Sequence, residues 1–328
     1  MSVIDRKVKT SALVKDKPLV GIIVLHWNAF DETSICIQSL SKLRYENHII
    51  IVIDNGSVIP LQSQLNEQLL NIRIIRSSEN IGFAAGCNVG INSAIEQGCE
   101  FVWLLNNDTI VDRDALSYLI EKAGKERTAG IIGSTILEKE NERIVNHVGG
   151  WIYPHLGLCV HLGRGRQYEF VLKQRKISPT YITGCSMLAR VEMTREVGLM
   201  DEGYFLYWED ADWCLRAKKR GWDVAMAYES VVYHKGSSGL GPTSPLKGYY
   251  LARNSLRFVF KFYPWLLPLA IIWWPRRHFV NHLFRRRFVH ARMALQGMLD
   301  FVKGRVVLPE LDGNTASDHS HGVMRFRK

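Results

Sequence analysis

Two short stretches carry residue types that could do chemistry. The first is Asn106-Asn107-Asp108, directly after the apolar run 101–105. One carboxylate flanked by two amides is a hard-oxygen set suited to Mg²⁺ or Mn²⁺ that already carries phosphate oxygens. The same residues also suit an Asx turn whose Asp caps the next helix. The second stretch is Trp208-Glu209-Asp210-Ala211-Asp212, with three acids inside four residues. Such crowding raises the pKa of one of them, and a carboxylate at a helix start beside aromatic residues could act as a general base. A plainer account of the stretch exists too. Acids at the start and Lys218, Lys219 and Arg220 at the end complement a helix dipole, with Gly221 as C-cap.

The elements around them follow from apolar patterning. Runs 19–25, 49–53, 72–76 and 101–105 read as buried strands, separated by helical spacing over 31–43, 62–70 and from within 79–91 to 96. This alternation is a βαβ series and predicts a parallel sheet with right-handed crossovers. A strand that ends in polar groups delivers them to the carboxyl edge, where open α/β sheets bind ligands. The first strand ends at His26-Trp27-Asn28 and the second at Asp54-Asn55-Gly56-Ser57. The Gly- and Ala-rich start of the third helix could serve a pyrophosphate, or simply let helix and strand pack closely. Further on, a helix is expected to about residue 125, strands over 130–137 and 183–189, and helices over 190–197 and 208–221. Two short strands follow at 224–227 and 230–233, then a loop at 234–239 that could close over a ligand. Residues 141–177 show no clear period.

Of the 328 residues, 47% are hydrophobic and 23% charged, ordinary for a globular protein. The six cysteines form no CxxC pair, which argues against zinc and for reduced thiols. The net charge of +10 is local: 230–299 holds 11 basic and no acidic residues, whereas 1–229 holds 26 basic and 28 acidic. That distribution argues against a nucleic-acid binder and for one surface that meets anions. Residues 1–17 lack the apolar core of a signal peptide and read as a flexible arm. Residues 262–274 are 13 uncharged residues containing Pro264 and Pro268, too short to span a bilayer. Arg276, Arg277, Arg285, Arg286, Arg287 and Arg292 follow, interleaved with Phe279, Leu283, Phe288, Leu295 and Leu299 at roughly helical spacing. This is either an interfacial helix on an anionic membrane or a helix packed on the preceding domain. Residues 309–328 are polar and expected to be disordered.

Taken in order, these motifs resemble the family 2 glycosyltransferases, in particular the rhamnosyltransferases and their galactofuranosyltransferase relatives. The likeness covers residues 19–261. It implies an α/β GT-A-type fold that binds nucleotide-diphospho-sugars, with halves at 18–137 (donor) and 138–261 (acceptor) and a basic helical extension at 262–308. It also implies that His26, Asn28 and Asp54 hold base and ribose. The Glu79-Asn80-x-Gly82-Phe83-Ala84-Ala85-Gly86-x-Asn88 block resembles the rhamnosyltransferase donor loop. That block contributes Asn80, Gly82, Phe83 and Asn88 to the donor, as do Asn106 and Asn107. Asn106-Asn107-Asp108 stands where the family has D-x-D, so Asp108 carries most of the binding of Mg²⁺ or Mn²⁺, with His234 beside it. In the acidic motif Asp210 is the expected base, while Trp208, Glu209 and Asp212 face the acceptor. Tyr249-Tyr250-Leu251-Ala252-Arg253-Asn254 also resembles this branch. The implied activity is inverting transfer of a sugar, L-rhamnose from dTDP-rhamnose, to a saccharide acceptor, as in bacterial cell-surface polysaccharide synthesis. A polyprenyl-diphosphate-linked acceptor would fit contact of 262–300 with an anionic membrane, giving a cytoplasmic protein peripheral on the inner face. Three other readings compete with it. A UDP-sugar donor would leave fold and mechanism unchanged. A sugar-nucleotide pyrophosphorylase needs a G-x-G-T-R loop where this chain has Leu25-His26-Trp27-Asn28. A non-catalytic scaffold would not need Asp108 and Asp210.

Overall fold

A computed structural model describes residues 17–64, 72–175, 178–235 and 244–305. The expected arm over 1–16, most of the helix over 62–70, the loop beyond residue 235 and the tail over 309–328 lie outside these residues.

The first half alternates as the pattern predicts: β1 (Val20–His26), α1 (Phe30–Leu40), β2 (His48–Asn55), β3 (Ile72–Ser77), α2 (Phe83–Glu96) and β4 (Phe101–Asn106). These strands pair in parallel in the order β3-β2-β1-β4. The apolar runs of β1, β2 and β4 are buried on both faces, as a sheet covered by helices on each side requires, while β3 at the edge is only partly buried. Helix α2 can lie directly on β1 because it presents glycine there. A Cβ on Gly90 would stand 2.5 Å from Ile23, and one on Gly86 would run into Leu25. Close packing thus accounts for the small-residue spacing.

A short strand that the pattern did not predict, β5 (Thr109–Val111), precedes α3 (Ala115–Lys125) and β6 (Ala129–Glu138). The stretch without a clear period is more ordered than expected. It holds β7 (Val145–His147), a hairpin of β8 (Gly150–Tyr153) and β9 (Leu158–His161), and α4 (Tyr168–Gln174). Elements this short lie below the length at which periodicity can be read. Next come β10 (Ser186–Arg190), α5 (Val191–Val197), α6 (Glu209–Lys219) and β11 (Asp223–His234). The two short strands expected at the end are one strand with an irregular register between Ala227 and Val231. The main sheet runs β3-β2-β1-β4-β10-β6-β11-β5, with β10 antiparallel to both neighbours, β5 antiparallel to β11, and β7 on β6. It is a mostly parallel, helix-flanked GT-A-like sheet.

The basic segment packs on the fold. Helix α7 (Pro245–Phe262) is followed by α8 (Leu267–Pro275), α9 (Asn281–Phe284) and α10 (Phe288–Val302). Ala252, Leu256 and Val259 of α7 close a small core with Ala270, Trp274 and Ala294. Trp274 Nε1 donates to Ala252 O at 3.1 Å, and Tyr249 Oη donates to the buried Asp300 carboxylate at 3.0 Å. The outer face stays apolar: Trp265 and Ile272 are each 69% exposed and Phe284 83%. Among the described residues, no helix is long and apolar enough to cross a membrane.

Candidate active site

The carboxyl ends of β1, β2 and β4 carry the first group of polar side chains. Asp54 is 1% exposed and fully engaged. It accepts from Ser57 N and Leu61 N, each at 3.0 Å, and from Arg76 Nη1 at 2.7 Å. Burial opposes ionisation, but these donors and the Arg76 charge outweigh it and hold the carboxyl below its usual range. Asp54 therefore shapes the loop after β2, with its carboxylate turned to these partners and almost none of it open to solvent. His26 is likewise enclosed, with 0% exposure. Thr33 gives its hydroxyl hydrogen to Ala29 O, so His26 Nδ1, 2.7 Å from Thr33 Oγ1, must be the protonated nitrogen. Burial keeps that imidazole neutral. Thr33 also accepts from Asn107 Nδ2 at 2.9 Å, so one α1 hydroxyl ties the end of β1 to the turn before β5. Asn28 alone of this group is exposed; its Oδ1 accepts from Val58 N at 2.8 Å.

The donor loop is pinned from inside. Asn55 Nδ2 donates to Asn80 Oδ1 and Gly82 O, each at 3.1 Å, and Asn80 Oδ1 also accepts from Gly82 N at 2.9 Å. Asn88 is 3% exposed and clamps the chain at Met200, donating to Met200 O and accepting from Met200 N, both at 3.0 Å. It holds structure and has no surface for a donor. The first amide of α2, Phe83 N, donates to Phe205 O at 2.6 Å, so it is not free for a pyrophosphate.

The antiparallel pairing of β5 with β11 sets Thr109 opposite His234 and thereby brings His234 beside Asp108. His234 Nε2 stands 3.1 Å from Asp108 Oδ1. Burial lowers the imidazole's pKa, but the Cys185 sulfur and the Asp108 carboxylate outweigh it and raise it to about 11. With its pKa so raised, His234 is an imidazolium paired with Asp108; the 3.1 Å spacing is also that of two ligands at right angles on one ion, so the pair could hold a divalent cation once that cation displaces the imidazole proton. Among the described residues no group of three or more His, Cys, Asp or Glu could hold one. Phosphate oxygens and water would complete the shell, the usual arrangement for hard cations on substrate phosphates.

Asp210 lies in the first turn of α6. Its Oδ2 accepts from Gly184 N at 3.2 Å and its Oδ1 from Ala211 N at 2.7 Å. Part of its surface stays open, yet the surrounding protein desolvates it, and burial raises its pKa to about 6 against the pull of those amides. Glu209 next to it is 4% exposed and Oε2 has no hydrogen-bond partner. Burial and the Asp210 charge push its carboxyl well up, so it is the neutral member of the pair. Asp212 points the other way. It is fully buried and accepts from Arg216 Nε at 2.6 Å, Lys261 Nζ at 2.6 Å and Tyr204 Oη at 3.1 Å. Trp208 is 5% exposed, its ring 4.9 Å from that of Phe258. Trp208, Glu209 and Asp212, expected to face an acceptor, are thus all buried in this structure. A helix turns about 100° per residue, and here only Asp210 reaches open space.

Gly184 and Cys185, which the sequence did not mark as functional, join the two centres. Gly184 N is on Asp210, Cys185 O accepts from Asn106 N at 3.1 Å, and the Cys185 sulfur meets His234. Asp108, His234, Asn106 and Asp210 are therefore gathered around two consecutive residues. Phe83 belongs with them, since a Cβ on Gly184 would lie 2.8 Å from its ring.

The family model of glycosyl transferase family 2 matches residues 21–198. The chain belongs to glycosyl transferase family 2. This glycosyltransferase is 24% identical over 241 residues to an N-acetylglucosaminyl-diphospho-decaprenol L-rhamnosyltransferase of Mycobacterium tuberculosis (strain CDC 1551 / Oshkosh), covering 65% of this chain and 76% of that one. It is 23% identical over 227 residues to the dTDP-rhamnosyl transferase RfbF of Shigella flexneri, covering 66% and 72%. Its fold matches that of the mannosyltransferase PcManGT from Pyrobaculum calidifontis, solved with GDP-Man and Mn²⁺. The TM-score is 0.55 at 12% identity, over 89% of each chain.

Proposed function

We propose that this glycosyltransferase transfers L-rhamnose from dTDP-rhamnose, with inversion, to a hydroxyl of a lipid-diphosphate-linked saccharide in cell-surface glycan synthesis. The observation that carries the reaction type is Asp210: a carboxylate raised to about 6, fixed by two backbone amides and partly open, linked through Gly184 and Cys185 to the Asp108–His234 pair. The likeness to two rhamnosyltransferases supports the sugar.

In this reading Asp210 accepts the proton of the acceptor hydroxyl, and that oxygen attacks the anomeric carbon as the diphosphate leaves from the opposite face. Near neutral pH Asp210 is ionised, and a pKa of about 6 gives it a stronger pull on the proton than an ordinary Asp has. Asp108 and His234 would hold Mg²⁺ or Mn²⁺, which would supply positive charge for the diphosphate oxygens. Gly82, Phe83, Asn106 and Asn107 line the donor side. His26, Asp54, Asn80 and Asn88 act behind them by fixing the loops. Trp265, Ile272 and Phe284 with Arg285, Arg286 and Arg287 would rest on the anionic inner face of the cell membrane, where a polyprenyl-linked acceptor resides.

The test is a thermal-shift screen of dTDP-, UDP- and GDP-sugars with and without Mn²⁺, since a ligand of the native state raises Tm. A Mn²⁺-dependent shift with dTDP-rhamnose alone supports the proposal. A preference for a UDP-sugar reassigns the donor and keeps the mechanism. No shift with any of them points to a scaffold.

A further inference from the structure

We propose that Asn254, a fully buried residue of α7, is a positioning residue for this reaction: its side-chain amide holds the strained 204–208 turn that sets Asp210 against the donor loop. The inference rests on Asp210 being the base.

Six described non-glycine residues have positive φ, and three of them are Phe205, Tyr207 and Trp208, at 62°, 68° and 80°. At Phe205 ψ is −57°, and Leu206 N donates to Tyr204 O at 2.7 Å. That is a γ-turn of the rare, strained hand. Each such residue is strained and persists only where its surroundings over-determine it. The run ends at the residue before α6, so it decides where Asp210 stands.

Asn254 is what over-determines it. Its Nδ2 donates to Tyr204 O and Leu206 O at 2.8 Å and to Tyr207 O at 3.0 Å. Arg253 Nη1 donates to Asn254 Oδ1 at 2.6 Å and to Gly203 O at 3.0 Å. A flipped amide would face its oxygen to three carbonyls and its NH₂ to a guanidinium, so one orientation is imposed. The other side of the turn meets the donor loop. Phe205 O accepts from Phe83 N, and a Cβ on Gly82 would lie 2.6 Å from the Phe205 ring. The Phe205 ring itself stacks on Tyr250, one turn of α7 before Asn254, at 5.2 Å. Helix α7 thus fixes the turn, and the turn fixes both donor loop and base. The NH₂ has two hydrogens, so one is shared among the three carbonyls, and an apolar residue at 254 would leave the buried Tyr204 carbonyl and the part-buried Leu206 and Tyr207 carbonyls without this donor.

The experiment compares full-length Asn254→Ala, Asn254→Ser and Asn254→Asp with Asp210→Asn, using dTDP-rhamnose or whichever nucleotide sugar the thermal-shift screen selects. Asn254→Ala should keep donor KM within about threefold and lose about 100-fold in kcat, the scale of a 1 Å misplacement. The acid limb of its kcat–pH profile should move to lower pH as Asp210 leaves its recess and is rehydrated, since burial is what raises it; Glu209, Tyr181 and Cys214, the ionisable groups around it, are held protonated and neutral there. Asn254→Ser keeps one donor and should fall between; Asn254→Asp, with an oxygen facing the carbonyls, should be worse than Ala. Wild-type kcat in the Ala and Ser variants overturns the inference. So does a loss of kcat with an unmoved acid limb, which general loosening would give. Should Asn254→Ala not fold, Asn254→Ser carries the same comparison. An active Asp210→Asn removes the base and this inference with it, whereas an inactive Asp210→Asn beside unaffected Asn254 variants removes this inference alone.

Discussion

Gly184 donates its backbone N–H to Asp210 Oδ2 at 3.2 Å, and its neighbour Cys185 abuts both Asn106 and His234. One two-residue turn before β10 therefore links the proposed base to the proposed cation pair. Asp210→Asn should keep the fold, the amide contact and donor affinity within about threefold, and should lose about 10³-fold or more in kcat. Donor titration and single-turnover rates separate the two. A variant that turns over like wild type would exclude Asp210 as base.

The pH profile follows from the same residue. Burial raises the Asp210 pKa to about 6, and the base acts when ionised. The rate of the chemical step should be level near pH 7.5 and fall about tenfold per unit below about pH 6. An ordinary carboxylate would put that limb near pH 4. Single-turnover rates between pH 4.5 and 8 decide it.

Asp108 and His234 are the only pair proposed to hold a cation, so neither should be dispensable. His234→Ala should weaken Mn²⁺ binding in the presence of dTDP by about 10–100-fold, and Asp108→Asn by at least as much. Calorimetric titration with Mn²⁺ reads this without reference to turnover. Unchanged affinity in both variants would place the metal elsewhere.

Acid stability turns on a second cluster. Asp201 accepts from Lys261 Nζ at 2.7 Å and from Arg257 Nη2 at 3.1 Å. Burial opposes its ionisation, but these partners prevail and lower its pKa to about 2. A lowered carboxylate pKa stabilises the fold above the unfolded-state value and loses that contribution as pH falls through the folded one. Asp201→Asn should therefore lower stability by about 2 kcal/mol at pH 7, with the gap from wild type closing between about pH 4 and pH 2. Urea unfolding across that range measures it. A gap independent of pH would mean lost packing instead.

The apolar outer face of the tail can be tested without truncation, which would strip α10 from α7. Replacing Trp265, Ile272 and Phe284 with Ser removes side chains that are 69%, 69% and 83% exposed, so Tm should change little. Sedimentation with phosphatidylglycerol vesicles should fall about tenfold or more. Equal sedimentation would make this face something other than a lipid contact.

The sequence by itself determined a good deal. Apolar runs placed β1, β2, β3 and β4: β1, β2 and β4 are buried on both faces and read as continuous apolar runs, whereas the partly exposed β3 shows as an Ile-rich run broken by Arg73. The order of motifs led to the nucleotide-sugar fold, and the polar groups at strand ends marked the carboxyl edge. Tertiary structure alone decided which of those groups reach open space. His26, Asp54, Asn88 and Asp212 have the same composition as ligand-binding residues, yet each spends its hydrogen bonds inside the protein. Glu209 and Asp210 are adjacent and alike in charge. Only the turn of α6 and the amide of Gly184, twenty-six positions away, make one a buried neutral acid and the other an open carboxylate. The pairing of β5 with β11 that joins His234 to Asp108, and the reach of Asn254 from α7 to the 204–208 turn, are contacts between segments far apart in the chain. Local propensity carries no record of such contacts, because what selects them is the packing of the whole sheet and its helices.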